Sequence, residues 1–187
     1  MNYLKAAIRI ARRLAWKELY SDPKRAVALY RNKGVSIGEN TELYNTEIDS
    51  LRPFLVTIGS NVLITSTKIL THDASTKKFL GYTKIGKVEI GNNVFIGANC
   101  LILPDTHIGS NVIIGAGTVV AKNVPDNSIA VGNPMRIVGS LETNVLKNRA
   151  LLDSAPKFPQ NNCKTKEDKL DMVKRLENSV GFVKCDE

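Results

Sequence analysis

The fold is decided by residues 88–123, which fall into consecutive units of six: VEIGNN, VFIGAN, CLILPD, THIGSN, VIIGAG and TVVAKN. The third position of each unit is aliphatic: Ile90, Ile96, Ile102, Ile108, Ile114 and Val120. The first position forms a smaller register of Val88, Val94, Cys100, Thr106, Val112 and Thr118. Gly91, Gly97, Gly109 and Gly115 follow the aliphatic residue, and the last position holds Asn93, Asn99, Asp105, Asn111, Gly117 and Asn123. This period fits neither an amphipathic helix at about 3.6 residues per turn nor a long alternating strand. A fixed six-residue period is the signature of a parallel β-helix. Each unit supplies a short strand with two inward side chains and then a corner, where Gly, Asn or Asp tolerate positive φ best. Three units close one coil, and coils stack about 4.8 Å apart through parallel pairing.

Outward from this block the repeat is broken twice. It first shows at Val35, Ile37, Gly38, Asn40 and Leu43, and loses register through Asp49-Ser50-Leu51-Arg52-Pro53. It resumes at Val56, Ile58, Gly59, Asn61, Val62, Ile64 and Leu70, with Lys68 a poor match for an inward position. Between Leu70 and Ile90 a polar stretch, Thr71-His72-Asp73-Ala74-Ser75-Thr76-Lys77-Lys78, reads as a loop extruded over residues 71–84. Such interruptions of a rigid scaffold commonly carry function. The last coil closes at Ile129-Ala130-Val131-Gly132-Asn133-Pro134.

The flanks read as helical. Residues 2–20 carry Leu4, Ile8, Ala11 and Ala15 on one stripe, with Lys5, Arg9, Arg12, Arg13 and Lys17 elsewhere. This basic helix either caps the exposed end of the solenoid or lies against an anionic lipid surface as a peripheral membrane contact. A second helix opens at Asp22-Pro23, with Asp as N-cap and Pro at the first position, and ends near Gly34. A helix is expected from Leu141 to Asp153, then a linker over Pro156–Asn162, then a helix starting at Thr165. The organisation is thus a helical cap over residues 1–33, a β-helix domain over 34–139, and a helical extension over 140–187.

Composition narrows the function classes. The 187 residues carry a formal charge of +8, with 43% hydrophobic and 6% aromatic residues. Aliphatic filling suits a narrow solenoid. The basic balance calls for an anionic partner, but no nucleic-acid motif or aromatic interleaving accompanies it, so nucleic acid is not expected. Cys100, Cys163 and Cys185 have no metal spacing, and Cys100 falls at an inward position as a buried thiol. No metal is expected. With no apolar run of about 20 residues and no signal-peptide core, a cytoplasmic location is expected, at the inner face of the membrane if the basic helix binds lipid.

Ile64-Thr65-Ser66, Leu70-Thr71-His72-Asp73 and the run from Val88 to Pro134 resemble the hexapeptide-repeat acyltransferases. Within that family they are similar to the acetyltransferases that decorate capsule and O-antigen sugars, relatives of the galactoside and maltose acetyltransferases. The resemblance covers residues 34–138 and implies a mainly β fold, a left-handed parallel β-helix with N- and C-terminal helices. It also implies acetyl-CoA as co-substrate, a homotrimer with sites between subunits, and a sugar or glycan acceptor. The hand comes from the resemblance alone, since general rules favour right-handed crossovers.

The chain has two histidines. His107 falls on an outward position of a regular unit and reads as a surface residue. The resemblance makes His72 the catalytic base, which removes the proton of a sugar hydroxyl as the oxygen attacks the acetyl thioester directly. Asp73 either orients the imidazole or merely shapes the loop. Ala98 stands where galactoside acetyltransferases carry a serine, so an oxyanion donor would have to be a backbone N–H at Gly97 or Ala98. Residue by residue, the resemblance assigns Ala98, Ala116, Ala121 and Lys122 to the pantetheine and phosphate track, with Arg136 as a further phosphate cation. The expected activity is acetyl-CoA-dependent O-acetylation of a sugar or polysaccharide precursor. N-acetylation of an amino sugar, or acetylation of an antibiotic or serine, is the alternative. A non-catalytic scaffold is disfavoured by the His72 break, and a three-histidine zinc site cannot be built from this sequence.

Overall fold

The computed structural model describes residues 22–160 and 164–185. The helix expected over residues 2–20 lies outside them. The chain forms two compact units, residues 1–141 and 142–187.

The first unit opens with α1 (Pro23–Asn32), capped by Asp22, whose carboxylate accepts the Lys24 and Arg25 N–H groups. Stacked coils follow, each made of three short strands. The first coil is β1 (Ser36–Ile37), β2 (Glu42–Tyr44) and β3 (Glu47–Ile48), and the second is β4 (Val56–Ile58), β5 (Leu63–Thr65) and β6 (Lys68–Ile69). A hairpin, β7 (His72–Asp73) and β8 (Lys84–Ile85), with the short helix α2 (Lys77–Leu80) between its strands, precedes the third coil. That coil is β9 (Val88–Ile90), β10 (Val94–Ile96) and β11 (Leu101–Ile102), and the fourth is β12 (Thr106–Ile108), β13 (Val112–Ile114) and β14 (Val119–Val120). β15 (Ser128–Val131) starts the last turn, and β16 (Arg136–Ser140) folds back antiparallel to it.

Parallel pairing sorts these strands into three sheets: A (β1, β4, β9, β12), B (β2, β5, β10, β13, β15, β16) and C (β3, β6, β11, β14). The inward series behaves as the period demands. Ile96, Ile102, Ile108, Ile114 and Val120 are fully buried, and Val88, Val94, Cys100, Thr106, Val112 and Thr118 are buried beside them. The Cys100 thiol donates to the Gly115 carbonyl at 3.2 Å, and burial pushes its ionisation up.

Corners divide the labour differently from the simple expectation. Positive φ falls on Asn40, Asn61, Asn93, Asn111 and Asn127 at the A–B corner, and on Asn45, Ser66, Asn99 and Gly117 at the B–C corner. The glycine that follows each aliphatic residue has another reason to be there: close approach. A Cβ on Gly91 would lie 2.6 Å from Ser110 Oγ, and one on Gly97 would lie 2.7 Å from Ala116 N. At the A–B corner the asparagine carboxamides form a one-way chain: Asn40 donates to Asn61, Asn61 to Asn93, Asn93 to Asn111 and Asn111 to Asn127, over 3.0–3.3 Å.

Two registers differ from the sequence expectation. Sheet C pairs Ile48 with Ile69 and Ile69 with Ile102, so Ile69 rather than Leu70 fills the core. Ser66 alone turns that corner, which shortens the unit and swings Lys68 outward to pair with Glu47 at 3.1 Å. The loop expected over 71–84 is extruded as a hairpin.

The open end of the first coil is closed by α1. The Tyr30 hydroxyl donates to the Thr46 carbonyl and accepts the Ile48 N–H, each at 3.0 Å, so it stands in for the missing neighbour strand of β3. In the second unit, α3 (Leu141–Ser154) matches the expected helix. The linker is not wholly irregular, because β17 (Lys157–Phe158) pairs in parallel with β18 (Phe182–Val183). Between them α4 (Lys166–Arg175) starts with a capping box of Thr165 and Asp168.

Candidate active site

Both breaks in the repeat leave the solenoid at the same corner, between sheets C and A, on successive coils. The first follows Ile48 and passes through Asp49 to a 3-10 turn at Pro53–Leu55. The second follows Ile69 and passes through Thr71 into the hairpin. Coil stacking continues beneath the breaks: Asp49 N–H donates to the Ile69 carbonyl and Leu70 N–H to the Ile102 carbonyl, each at 2.9 Å. Asp49 of the first coil therefore meets Thr71 and His72 of the second.

Asp49 is the residue that holds His72. Its Oδ2 accepts from His72 Nδ1, from Thr71 Oγ1 at 2.7 Å and from the Thr71 N–H at 3.1 Å. Its Oδ1 accepts the Leu51 N–H at 2.9 Å. The Asp49 side chain is 2% exposed, and that of His72 is 29% exposed. Burial opposes ionisation of Asp49, but the hydrogen bonds from Thr71, Leu51 and His72 outweigh it and hold the carboxyl well below the usual carboxylate range. An ionised Asp49 only accepts, so the proton sits on Nδ1 and the lone pair on Nε2. The result is an imidazole fixed in one tautomer and orientation, with its basic nitrogen directed away from the anchor.

Asp73, for which the sequence leaves open orienting the imidazole or shaping the loop, does not contact the ring through a hydrogen bond. Its Oδ1 accepts the Ser75 N–H at 2.8 Å, and this bond holds its carboxyl below the ordinary range at an exposed position. Adjacent residues of β7 point apart, as alternation along a strand requires. The loop-shaping alternative is the one that matches this geometry. Asp49 escaped the sequence reading because it lay in what looked like lost register. The available signal was that both breaks begin directly after equivalent strand residues, Ile48 and Ile69.

The other expected residues divide between two corners. Gly97, Ala98 and Ala116 stack at the B–C corner, where Gly97 N–H donates to the Ile114 carbonyl and Gly117 N–H to the Ala98 carbonyl, at 2.9 and 2.8 Å. Ala121 and Lys122 follow β14 and so lie exposed at the C–A corner, the corner of His72 but two coils further on. Arg136 lies on β16 opposite Val131. One chain does not gather all six into a single cluster. The B–C corner has the small residues that an extended pantetheine arm would need to lie close to the backbone, and Lys122 is an exposed cation. His107 is exposed as expected, with Nδ1 3.6 Å from Glu89 Oε2. Among the described residues no group of three His, Cys, Asp or Glu side chains could hold a metal ion.

Known proteins share this frame. Residues 87–122 match the bacterial transferase hexapeptide (six repeats) family. Protein CapG of Staphylococcus aureus is 41% identical over 128 residues, covering 63% of this chain and 74% of CapG. YvoF of Bacillus subtilis (strain 168), which carries a provisional acetyltransferase name, is 42% identical over 95 residues, covering 50% of this chain; the chain thus spans about half (53%) of YvoF. Among solved structures, a hexapeptide-repeat acetyltransferase of Vibrio cholerae superposes with a TM-score of 0.52 at 30% identity, over 58% of this chain and 64% of its own. A galactoside acetyltransferase in complex with coenzyme A superposes with a TM-score of 0.50 at 31% identity, over 58% of this chain and 56% of its own.

Proposed function

The chain belongs to the hexapeptide-repeat acetyltransferases with a left-handed β-helix, and from that premise we propose that it transfers an acetyl group from acetyl-CoA to a hydroxyl of a sugar or polysaccharide precursor. The observation that carries this reading is the buried, ionised Asp49 locking the His72 tautomer at the one corner where the repeat is opened.

In this mechanism His72 Nε2 takes the proton of the acceptor hydroxyl as its oxygen attacks the acetyl carbonyl. Asp49 stabilises the imidazolium that forms and keeps the ring aligned. The proton then passes from Nε2 to the departing sulfur, so His72 returns to its starting state and no acyl-enzyme is needed. Acetyl-CoA supplies the activated thioester; the protein supplies the base and the alignment. Negative charge growing on the carbonyl oxygen needs a donor, and with alanine at position 98 a backbone N–H is assigned to it.

Assembly as a homotrimer with sites between subunits fits the split of the candidate acetyl-CoA residues between two corners at opposite edges of sheet C. An outward column of Leu63, Phe95, Ile113 and Ile129 on sheet B offers a flat apolar face for packing. Cytoplasmic action on a glycan precursor follows from the cofactor. The test is thiol release from acetyl-CoA with a simple glycoside as acceptor. His72→Ala should keep folding and acetyl-CoA binding and lose about 10²–10⁴-fold in rate. His107→Ala should match wild type. A His72→Ala enzyme turning over at the wild-type rate overturns the mechanism.

A further inference from the structure

Thr71 stands directly before His72 and is fully buried, so its polar atoms must be satisfied inside the chain. Its N–H, at 3.1 Å, and its hydroxyl, at 2.7 Å, both go to Asp49 Oδ2, the oxygen that also meets His72 Nδ1. Asp49 Oδ1 takes the Leu51 N–H at 2.9 Å. A carboxylate oxygen offers about two lone-pair sites, so three donors on Oδ2 compete for the same charge.

The other buried threonines of the solenoid are used differently. Thr41, Thr46, Thr67 and Thr118 donate to backbone carbonyls, those of Gly59, Ile64, Gly97 and Gly115. The buried Thr106 hydroxyl has no hydrogen-bond partner among the described residues. The coil thus accepts a threonine whose hydroxyl serves nothing, and Thr71 is the buried threonine whose hydroxyl meets a charge.

We propose that Thr71 is a positioning residue for His72: its hydroxyl occupies the Asp49 oxygen that the imidazole shares, and so limits how tightly Asp49 holds the ring once the ring carries a proton. This role rests on the reading of His72 as the base of acetyl transfer. A base gripped too firmly as the cation is already protonated near neutral pH and takes no proton from the acceptor. Each donor that Oδ2 accepts from Thr71 lowers the charge left for Nδ1–H. Burial opposes the charge on Asp49, and the Thr71 hydroxyl is the largest of the hydrogen bonds that overcome it. Thr71 therefore keeps the anchor charged and tempers it at once. The other charges about the ring are Asp73 on β7, Lys84 opposite it on β8, Arg52 in the first break, and Asp105 of the next coil, against which Gly86 packs. All four remain when Thr71 is replaced, so a difference between variants belongs to the hydroxyl.

The experiment follows the His72 ring-proton shifts against pH by NMR, in the full chain without acetyl-CoA and with His107 as internal reference. Beside it stands the pH profile of kcat/KM for acetyl transfer to a simple glycoside. Thr71→Val keeps nearly the same shape and loses the hydroxyl. It should move the His72 titration and the acid limb of kcat/KM to higher pH by about half a unit or more, with KM for acetyl-CoA unchanged. Thr71→Ser, which restores the hydroxyl, should follow wild type. In Asp49→Asn, Thr71→Val should add nothing to the His72 titration, because the effect passes through Asp49. A Thr71→Val chain whose His72 titrates as in wild type, or at lower pH, would overturn the proposal, and so would Thr71→Ser shifted as far as Thr71→Val. If Thr71→Val does not fold, Thr71→Ala carries the same expectations. A shifted titration where wild type itself transfers no acetyl group would instead overturn the functional reading and leave the link from Thr71 to His72 standing.

Discussion

Two corners of the same solenoid have opposite characters. At the A–B corner each coil turns on an asparagine at φ between 53° and 57°, and the side chains bond in one direction from Asn40 to Asn127. At the C–A corner the chain departs twice, at residues 49–55 and 70–87, and brings Asp49, Thr71 and His72 together. The first corner is repetition with nothing chemical in it. The second is where repetition stops and an ionised carboxylate is buried. The difference shows how a solenoid accommodates a site. Ladder bonding under the inserted segments is unbroken, so lengthening a corner costs only loop closure, which grows slowly with length.

The contrast is tested most severely in the regular coils. Ile108 is fully buried between its coil neighbours, and Ile108→Asp places an unpaired charge there, at a cost of several kcal/mol or more. The expected outcome is no soluble folded protein in an expression trial. Soluble protein with a native circular-dichroism spectrum would mean that the interior tolerates what the repeat forbids.

At the irregular corner, Asp49→Asn should act on rate and stability together. An amide can present its N–H to Nδ1 and favour the wrong tautomer, so the rate should fall about 10²-fold or more. Asp73→Asn should stay near wild type. The stability effect has a defined pH dependence. Because the native carboxyl is held below its unfolded value of about 3.9, its contribution is present above that pH and is lost as pH falls through the native value. The stability gap between wild type and Asp49→Asn, read from denaturant melts, should be full near neutrality and should shrink on acidification below about pH 4. A gap that widens in acid would remove Asp49 as an ionised anchor.

The smallest effect belongs to the asparagine chain. Asn93→Ala removes two side-chain bonds and leaves a residue that tolerates positive φ poorly. A loss of about 1–2 kcal/mol is expected, with activity unchanged and with Asn93→Gly milder. A rate loss in Asn93→Ala without a stability loss would show that the two corners are coupled.

The core register over 88–123, the asparagine corners, the caps at Asp22 and Thr165, and the place of His72 in the long break of the repeat were all legible in the sequence. Each is set by local repetition or by near neighbours in the chain, where the period and the residue type together admit few solutions. The anchor was not legible. Asp73 stood next to His72 in sequence, but alternation along β7 turns it away, and coil stacking brings Asp49 to the imidazole from 23 residues upstream. Ile69 took the core place expected of Leu70 for a related reason, because one shortened corner shifts the register and only the parallel partner in the next coil reveals it. A period specifies which face a side chain takes. Which coil lies beneath a break depends on how many residues the break consumes, and that is fixed only when the coils stack.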